Sequence, residues 1–279
     1  MGIARKIYYF LPPQLRFWLR RLYFLPTDIY HQLFTKYPYP VPPKGLIYTG
    51  GGDFVAQGQK IIQIVQALNP AYLNEQSSVL DIGSGIGRFA VPLTQVLGEK
   101  GHYQGFDVVK MGVDWCQKNI AKKYPQFHFD YIPLKNDLYR SDGMEAASFT
   151  FPYEDDQYDF AVSNSVFTHM PPDEVENYIK ELARVLKHGG VCYATFFIIN
   201  EESEQLLASN KGFDFPHDFG HYRLMDKKVV GANVAFQETY LRKIIKENGL
   251  NIETIFFGHW CGRAKSKSKD FQDLVMIKK

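Results

Sequence analysis

The residues best placed to do chemistry are Asp81, Gly83, Gly85 and Gly87, with Asp107 and His169 further along the chain. Residues 79–82 form a short apolar run with a β-branched start, which reads as a buried strand. Residues 89–93 open a second apolar run that suits a helix. Glycine has no Cβ, so the loop between the two can turn tightly and lay its backbone against a ligand. The helix beyond it aims free N–H groups and a positive dipole end at the same gap. Open α/β sheets hold their ligands in such a pocket, at the carboxyl end of a first parallel strand.

Two acids sharpen the reading. Asp81 stands two residues before Gly83, where dinucleotide folds keep an apolar residue, and Arg88 stands where they want a further glycine. An NAD-binding oxidoreductase is therefore disfavoured, and a carboxylate at Asp81 suits the ammonium group of an amino-acid moiety. Asp107 closes the run 102–108, which reads as the next strand, and a carboxylate at its tip accepts both hydroxyls of a ribose. An acid near an amine and an acid near a ribose together outline S-adenosylmethionine.

These residues carry a resemblance. Asp-x-Gly-x-Gly-x-Gly over 81–87, Asp107, the runs 158–164 and 165–170, and Arg184-Val185-Leu186-Lys187-His188-Gly189-Gly190 follow the order and spacing of class I S-adenosylmethionine-dependent methyltransferases. The chain resembles that family from about residue 50 onward, with His188 where proline is usual. The resemblance implies a Rossmann-like α/β fold. Its sheet is seven-stranded and mostly parallel, flanked by helices, with an antiparallel strand seven between strands five and six. It also implies that Asp81, Gly83, Ser84, Gly85, Gly87 and Arg88 surround the methionine part of the cofactor. Asp107 is then at the ribose, Val108 near adenine, and Asn164 beside the transferred methyl. Phe54, with the backbone near residues 51 and 52, is expected to close over the cofactor.

His169 follows strand four and is the general-base candidate, because imidazole titrates near neutral pH and takes a hydroxyl proton as the oxygen attacks. A structural histidine bonded to its loop is the competing reading. No Asn/Asp-Pro-Pro-Tyr nitrogen-methylation signature follows strand four, which favours oxygen methylation over nitrogen. A fold that binds cofactor without turnover is a further alternative. The stretch 200–236 departs from the bare fold and reads as an acceptor lid, since long loops in compact domains are usually functional. Phe167, His217, His221 and Tyr222 are expected at the acceptor. Trp260 and Arg263 either face it too or pin the final hairpin. Asp214, His217, Asp218 and His221 lack firm ligand spacing, so no metal is assigned.

Composition fits a globular chain: 279 residues, 45% hydrophobic and 22% charged. A net charge of +2 sets up no field for nucleic acid, and no nucleic-acid motif is present. The three cysteines are odd in number, far apart and without metal spacing, so they read as reduced thiols of a cytoplasmic protein. Neither a spanning apolar run nor a signal peptide is found. The expected division is an extension over 1–52 and the methyltransferase domain over 53–279. Residues 1–25 carry Arg5, Lys6, Arg16, Arg20 and Arg21 with no acid before Asp28. After Pro12-Pro13, Leu15, Trp18, Leu19 and Leu22 follow helical spacing. Such a helix either lies in a membrane interface, toward a lipid-linked acceptor, or caps the domain with its stripe inward. Otherwise the acceptor is a small molecule or glycan. Residues 26–52 are rich in proline, tyrosine and glycine, and regular structure is not expected there. No feature of the sequence assigns an oligomeric state.

Overall fold

The structure, a computed structural model, describes residues 13–138, 142–209 and 213–279. Arg5, Lys6 and the rest of 1–12 lie outside the described residues, as do 210–212 of the expected lid.

Strand β1 (Ser78–Ile82) begins the main sheet, followed by β2 (His102–Asp107), β3 (Phe127–Tyr131), β4 (Tyr158–Ser163) and β5 (Leu186–Phe196). These five pair in parallel. The last two strands of the chain, β10 (Asn251–Phe256) and β11 (Asp273–Lys278), complete the sheet, and β11 runs antiparallel between β5 and β10. Among the described residues the order is β10-β11-β5-β4-β1-β2-β3, the Rossmann-like arrangement that the resemblance implies. Alternation along β1 sends Leu80 and Ile82 into one core and Val79 into the other, so Asp81 shares Val79's face.

Helices cover both faces: α2 (Phe54–Leu68), α3 (Ala90–Leu93), α4 (Lys110–Cys116), α5 (Pro172–Val185) and α7 (Glu238–Glu247). In α5, Val175, Ile179 and Leu182 make a buried stripe one helical turn apart. Arg184 at its end donates to the Phe151 and Tyr153 carbonyls and to Glu181, fixing the approach to β4. The helix after β1 is short. Pro92 has no N–H for the Arg88 carbonyl, and the chain proceeds in turns beyond Leu93.

Two expectations change. The apolar run 191–199 is divided at Phe197: Ile198–Ile199 (β6) leave the main sheet and pair with β9 (Val234–Gln237). The stretch read as a lid therefore has regular structure, with α6 (Glu201–Ser209), β7 (His217–Asp218) and β8 (Tyr222–Leu224) joining β6 and β9 in a second sheet. At the other end, α1 (Pro13–Phe34) continues well into the region expected to be irregular, with Pro26 inside it. Leu22 and Pro26 are both exposed, so the carbonyl freed by the missing N–H belongs to the outer side.

Candidate active site

The cofactor end of the site is built where β1 and β2 finish. Gly83 and Ser84 both donate backbone N–H bonds to the Phe106 carbonyl, at 3.0 and 2.9 Å, which folds the loop back across β2. Gly83 sits at φ +72°, and a Cβ there would lie 2.5 Å from Val166 Cγ2. No other residue fits. Gly85, at φ +58°, meets nothing nearer than 3.8 Å, so the loop is open on its cleft side.

Asp81 is buried, and its carboxylate accepts a 2.6 Å bond from the Tyr103 hydroxyl. Gly105 stands opposite Asp81 in the β1–β2 register, and a Cβ there would lie 2.8 Å from that hydroxyl. The glycine leaves the room through which Tyr103 reaches. Burial, joined by the charge of Asp107, raises the Asp81 pKa to about 7 despite the Tyr103 bond. Asp107 accepts from the Gly85 and Val109 N–H groups, each at 2.8 Å, and from the Tyr48 hydroxyl at 3.3 Å. Burial raises its pKa against those donors.

A cleft of ≈ 830 Å³, counting its open mouth, runs from this point. Gly83, Gly85, Asp107 and Val108 line one end, with Tyr48 and Thr49. Leu134, Ala146, Met170 and Tyr178 provide apolar walls. Asn164, Ser165, His169 and Glu174 complete the lining. Ser165 holds the bend after β4 at φ +59°, a left-handed conformation costing a non-glycine residue on the order of 1–2 kcal/mol. Its N–H donates to Thr195 Oγ1 (2.7 Å) and its hydroxyl to Gln272 (2.8 Å), which hold the bend in place.

His169 Nδ1 lies 2.8 Å from the Gly231 carbonyl. A carbonyl only accepts, so the neutral ring carries its proton on Nδ1 and a lone pair on Nε2. Burial holds the imidazole pKa below its ordinary value. Glu174, in the first turn of α5, has its pKa raised to about 7 by burial and by the acids Asp173, Glu145 and Asp137, while Lys135 opposes the shift.

The remaining expected residues are placed elsewhere. Arg88 donates to the Thr49 carbonyl (2.7 Å) and packs 4.9 Å from the Phe54 ring centre; the pair anchors the 49–54 segment and does not line the cleft. Ser84 lies buried beside the loop, its hydroxyl without a partner. Phe167 is fully buried against Phe196, ring centres 5.0 Å apart. His221 packs on Tyr240 and Tyr222 on Phe219 in the second sheet, with His217 in β7. Trp260 donates its indole N–H to Asp273 (2.7 Å), and Arg263 binds Glu202 and the Gly258 carbonyl. None of these six lines the cleft. Asp218 is bound to the Gly220 N–H and to Arg223, and among the described residues no three His, Cys, Asp or Glu side chains converge as metal ligands.

The cleft residues missed in the sequence are chiefly Tyr48, Lys135, Asn136 and Glu174. Glu174 gave one signal, an acid in the first turn of a helix that follows the His169 loop. Tyr48 stands within a tyrosine-rich stretch where nothing distinguishes it.

Two buried carboxylates at adjacent strand ends, an unpartnered Ser84 hydroxyl and an apolar wall beyond Val108 fit a cationic amino acid joined to a nucleoside. Known proteins agree. Residues 79–190 match the family described as methyltransferase domain. The stretch that carries the glycine loop and both acids is thus similar to a methyltransferase domain. The mouse arsenite methyltransferase is 30% identical over 148 residues, 49% of this chain and 35% of that protein. This chain thus spans about a third of the length of the first curated relatives it matches. A solved structure from Pyrococcus horikoshii superposes with a TM-score of 0.55 at 15% identity, covering 90% of this chain and 98% of that one. The magnesium protoporphyrin IX methyltransferase of Synechocystis, solved with bound S-adenosylhomocysteine, has a TM-score of 0.50 at 18% identity, covering 84% and 91%. At these identities the structural likeness concerns the fold alone.

Proposed function

We propose that this protein methylates an oxygen of a small-molecule, sugar or lipid-linked acceptor, with His169 as general base. S-adenosylmethionine supplies an electrophilic methyl on a sulfonium, and S-adenosylhomocysteine leaves. Asp107, Gly83, Gly85 and Val108 line the end of the cleft assigned to the nucleoside and methionine parts. Asp81 and Ser84 support it from behind, and Asn164 stands at the methyl. Arg88 and Phe54 act at one remove, by anchoring the segment that carries Tyr48. The decisive observation is the Nδ1–H bond to Gly231, which leaves Nε2 as a lone-pair nitrogen on a residue that lines the same cleft. Burial keeps that imidazole neutral near pH 7, ready to take the acceptor's hydroxyl proton. In this reading the chain divides into an extension over 1–52 and a methyltransferase domain over 53–279, with 200–236 serving the acceptor. The free, buried thiols Cys116, Cys192 and Cys261 support a cytoplasmic setting.

One observation favours a nitrogen acceptor instead: Glu174 in the cleft, near Asp137, Glu145 and Asp173, makes an acidic surrounding suited to an amine. His169→Ala separates the readings, assayed by transfer of radiolabelled methyl into organic, aqueous and protein fractions of a lysate. A hydroxyl acceptor predicts a kcat loss of about 10²–10⁴-fold with cofactor affinity retained. An amine acceptor predicts a change of only a few fold. No enzyme-dependent label in any fraction overturns catalysis altogether.

A further inference from the structure

Helix α1 is mounted the wrong way round for a surface helix. The residues turned toward the domain are mixed and polar. Arg16 donates to the Leu138 carbonyl at 2.9 Å, Phe17 packs on Tyr48 with ring centres 5.5 Å apart, and Asp28 accepts the Lys44 and Gly45 N–H groups at 2.7 and 3.0 Å. The apolar residues face out: Leu15, Trp18 (57% exposed), Leu19, Leu22, Ile29 and Leu33 (70% exposed). A helix that served only to cap its own domain would bury that stripe.

We infer that this outer face of α1 docks on an anionic lipid bilayer, lying in the interface without crossing it. Among the described residues no helix is long and apolar enough to span a membrane. The charge is complementary at the helix flank: Arg21 is exposed in its first half, and its one acid, Asp28, is held by the Lys44–Gly45 backbone. A half-exposed tryptophan among leucines and arginines is the composition of an interfacial helix. The mounting also gives the docked state an orientation. Arg16 and Phe17 attach α1 to Leu138 and Tyr48, and Tyr48 together with Lys135 and Asn136 lines the cleft. Docking on α1 therefore sets the cleft beside the bilayer surface. The inference is independent of methyl transfer and stands or falls on binding alone.

The test is co-sedimentation of the full chain with vesicles of phosphatidylcholine, alone and mixed with phosphatidylglycerol. Leu22→Glu/Ile29→Glu is the variant; both positions are exposed, and unchanged Tm and S-adenosylhomocysteine affinity confirm that it folds. The expected result is binding to the mixed vesicles, weakened by salt, and at least about tenfold weaker in the variant. Tryptophan emission should shift to the blue on binding, and Trp18→Phe should remove the shift, since Trp260 is buried and Trp115 half-buried. Absence of binding to the mixed vesicles overturns the inference. So does a wild-type dimer in solution that the double variant converts to monomer, because a second copy would then cover the face. Equal binding by the variant would place the lipid contact elsewhere and overturn it as well.

Discussion

The cleft and the aromatic cap over the far end of β5 contain similar residue types but treat them in opposite ways. Around the cleft, polar groups remain available: His169 and Glu174 line it, and the Ser84 hydroxyl behind its loop has no hydrogen-bond partner among the described residues. In the cap, Phe197 and Phe215 each meet the Trp260 ring edge to face, and buried polar groups have internal partners. Asp273 collects the Ile198 and Gly258 N–H groups and the Trp260 indole; Arg263 is held by Glu202 and Gly258. Composition alone offered Trp260 and Arg263 as acceptor contacts. Hydrogen bonding separates the two regions: satisfied buried groups hold the structure, and unsatisfied ones that line a cleft are free to meet a ligand.

The comparison breaks most sharply at its two aspartates. Asp107→Ala should lower S-adenosylhomocysteine affinity by about 10²-fold or more, from the loss of charge-assisted bonds to a ribose. Calorimetric titration measures it, with Tm as the control for the Gly85 and Val109 N–H groups left behind. Unchanged affinity would remove Asp107 from the ribose. Asp273→Ala should do the reverse, leaving affinity within a few fold while costing about 3–5 kcal/mol of stability, a Tm drop of about 10 °C, because buried donors lose their acceptor. A loss of affinity without a loss of stability would merge the two regions after all.

Much of this division was legible beforehand. The glycine spacing, the acids at 81 and 107 and the buried strands follow from local pattern, and the sheet order followed from the resemblance that those motifs carry. What escaped depended on register and on distant partners. Tyr103 reaches Asp81 only because Gly105 stands across the register. The split at Phe197 depends on β9, nearly forty residues away, accepting β6 as a neighbour. The outward stripe of α1 has the same sequence whether it faces the domain or the surroundings; only packing tells which. The proline-rich composition of 26–52 argued against regular structure there, and at Pro26, on the exposed side of α1, that argument is weak, because the freed carbonyl is not buried.

The smallest effect concerns Asp81 and its titration. Its folded pKa of about 7, and that of Asp273 at about 6, lie above the ordinary carboxylate range. Between about pH 4 and 7 the native state therefore holds more protons than the unfolded chain, and the cofactor-free protein should lose stability as pH rises through that window. A ligand ammonium at Asp81 favours the carboxylate and pulls its pKa down, so binding should release a proton near pH 6 and none at pH 8. S-adenosylhomocysteine affinity should accordingly rise by up to about tenfold from pH 6 to 8. Calorimetry in buffers of different ionisation enthalpy reads the released proton directly. Asp81→Asn should abolish both the release and the pH dependence while keeping an acceptor for Tyr103. If the wild type releases no proton, the ammonium lies elsewhere in the cleft, and Asp81 belongs with Asp273 among the groups that only hold the structure.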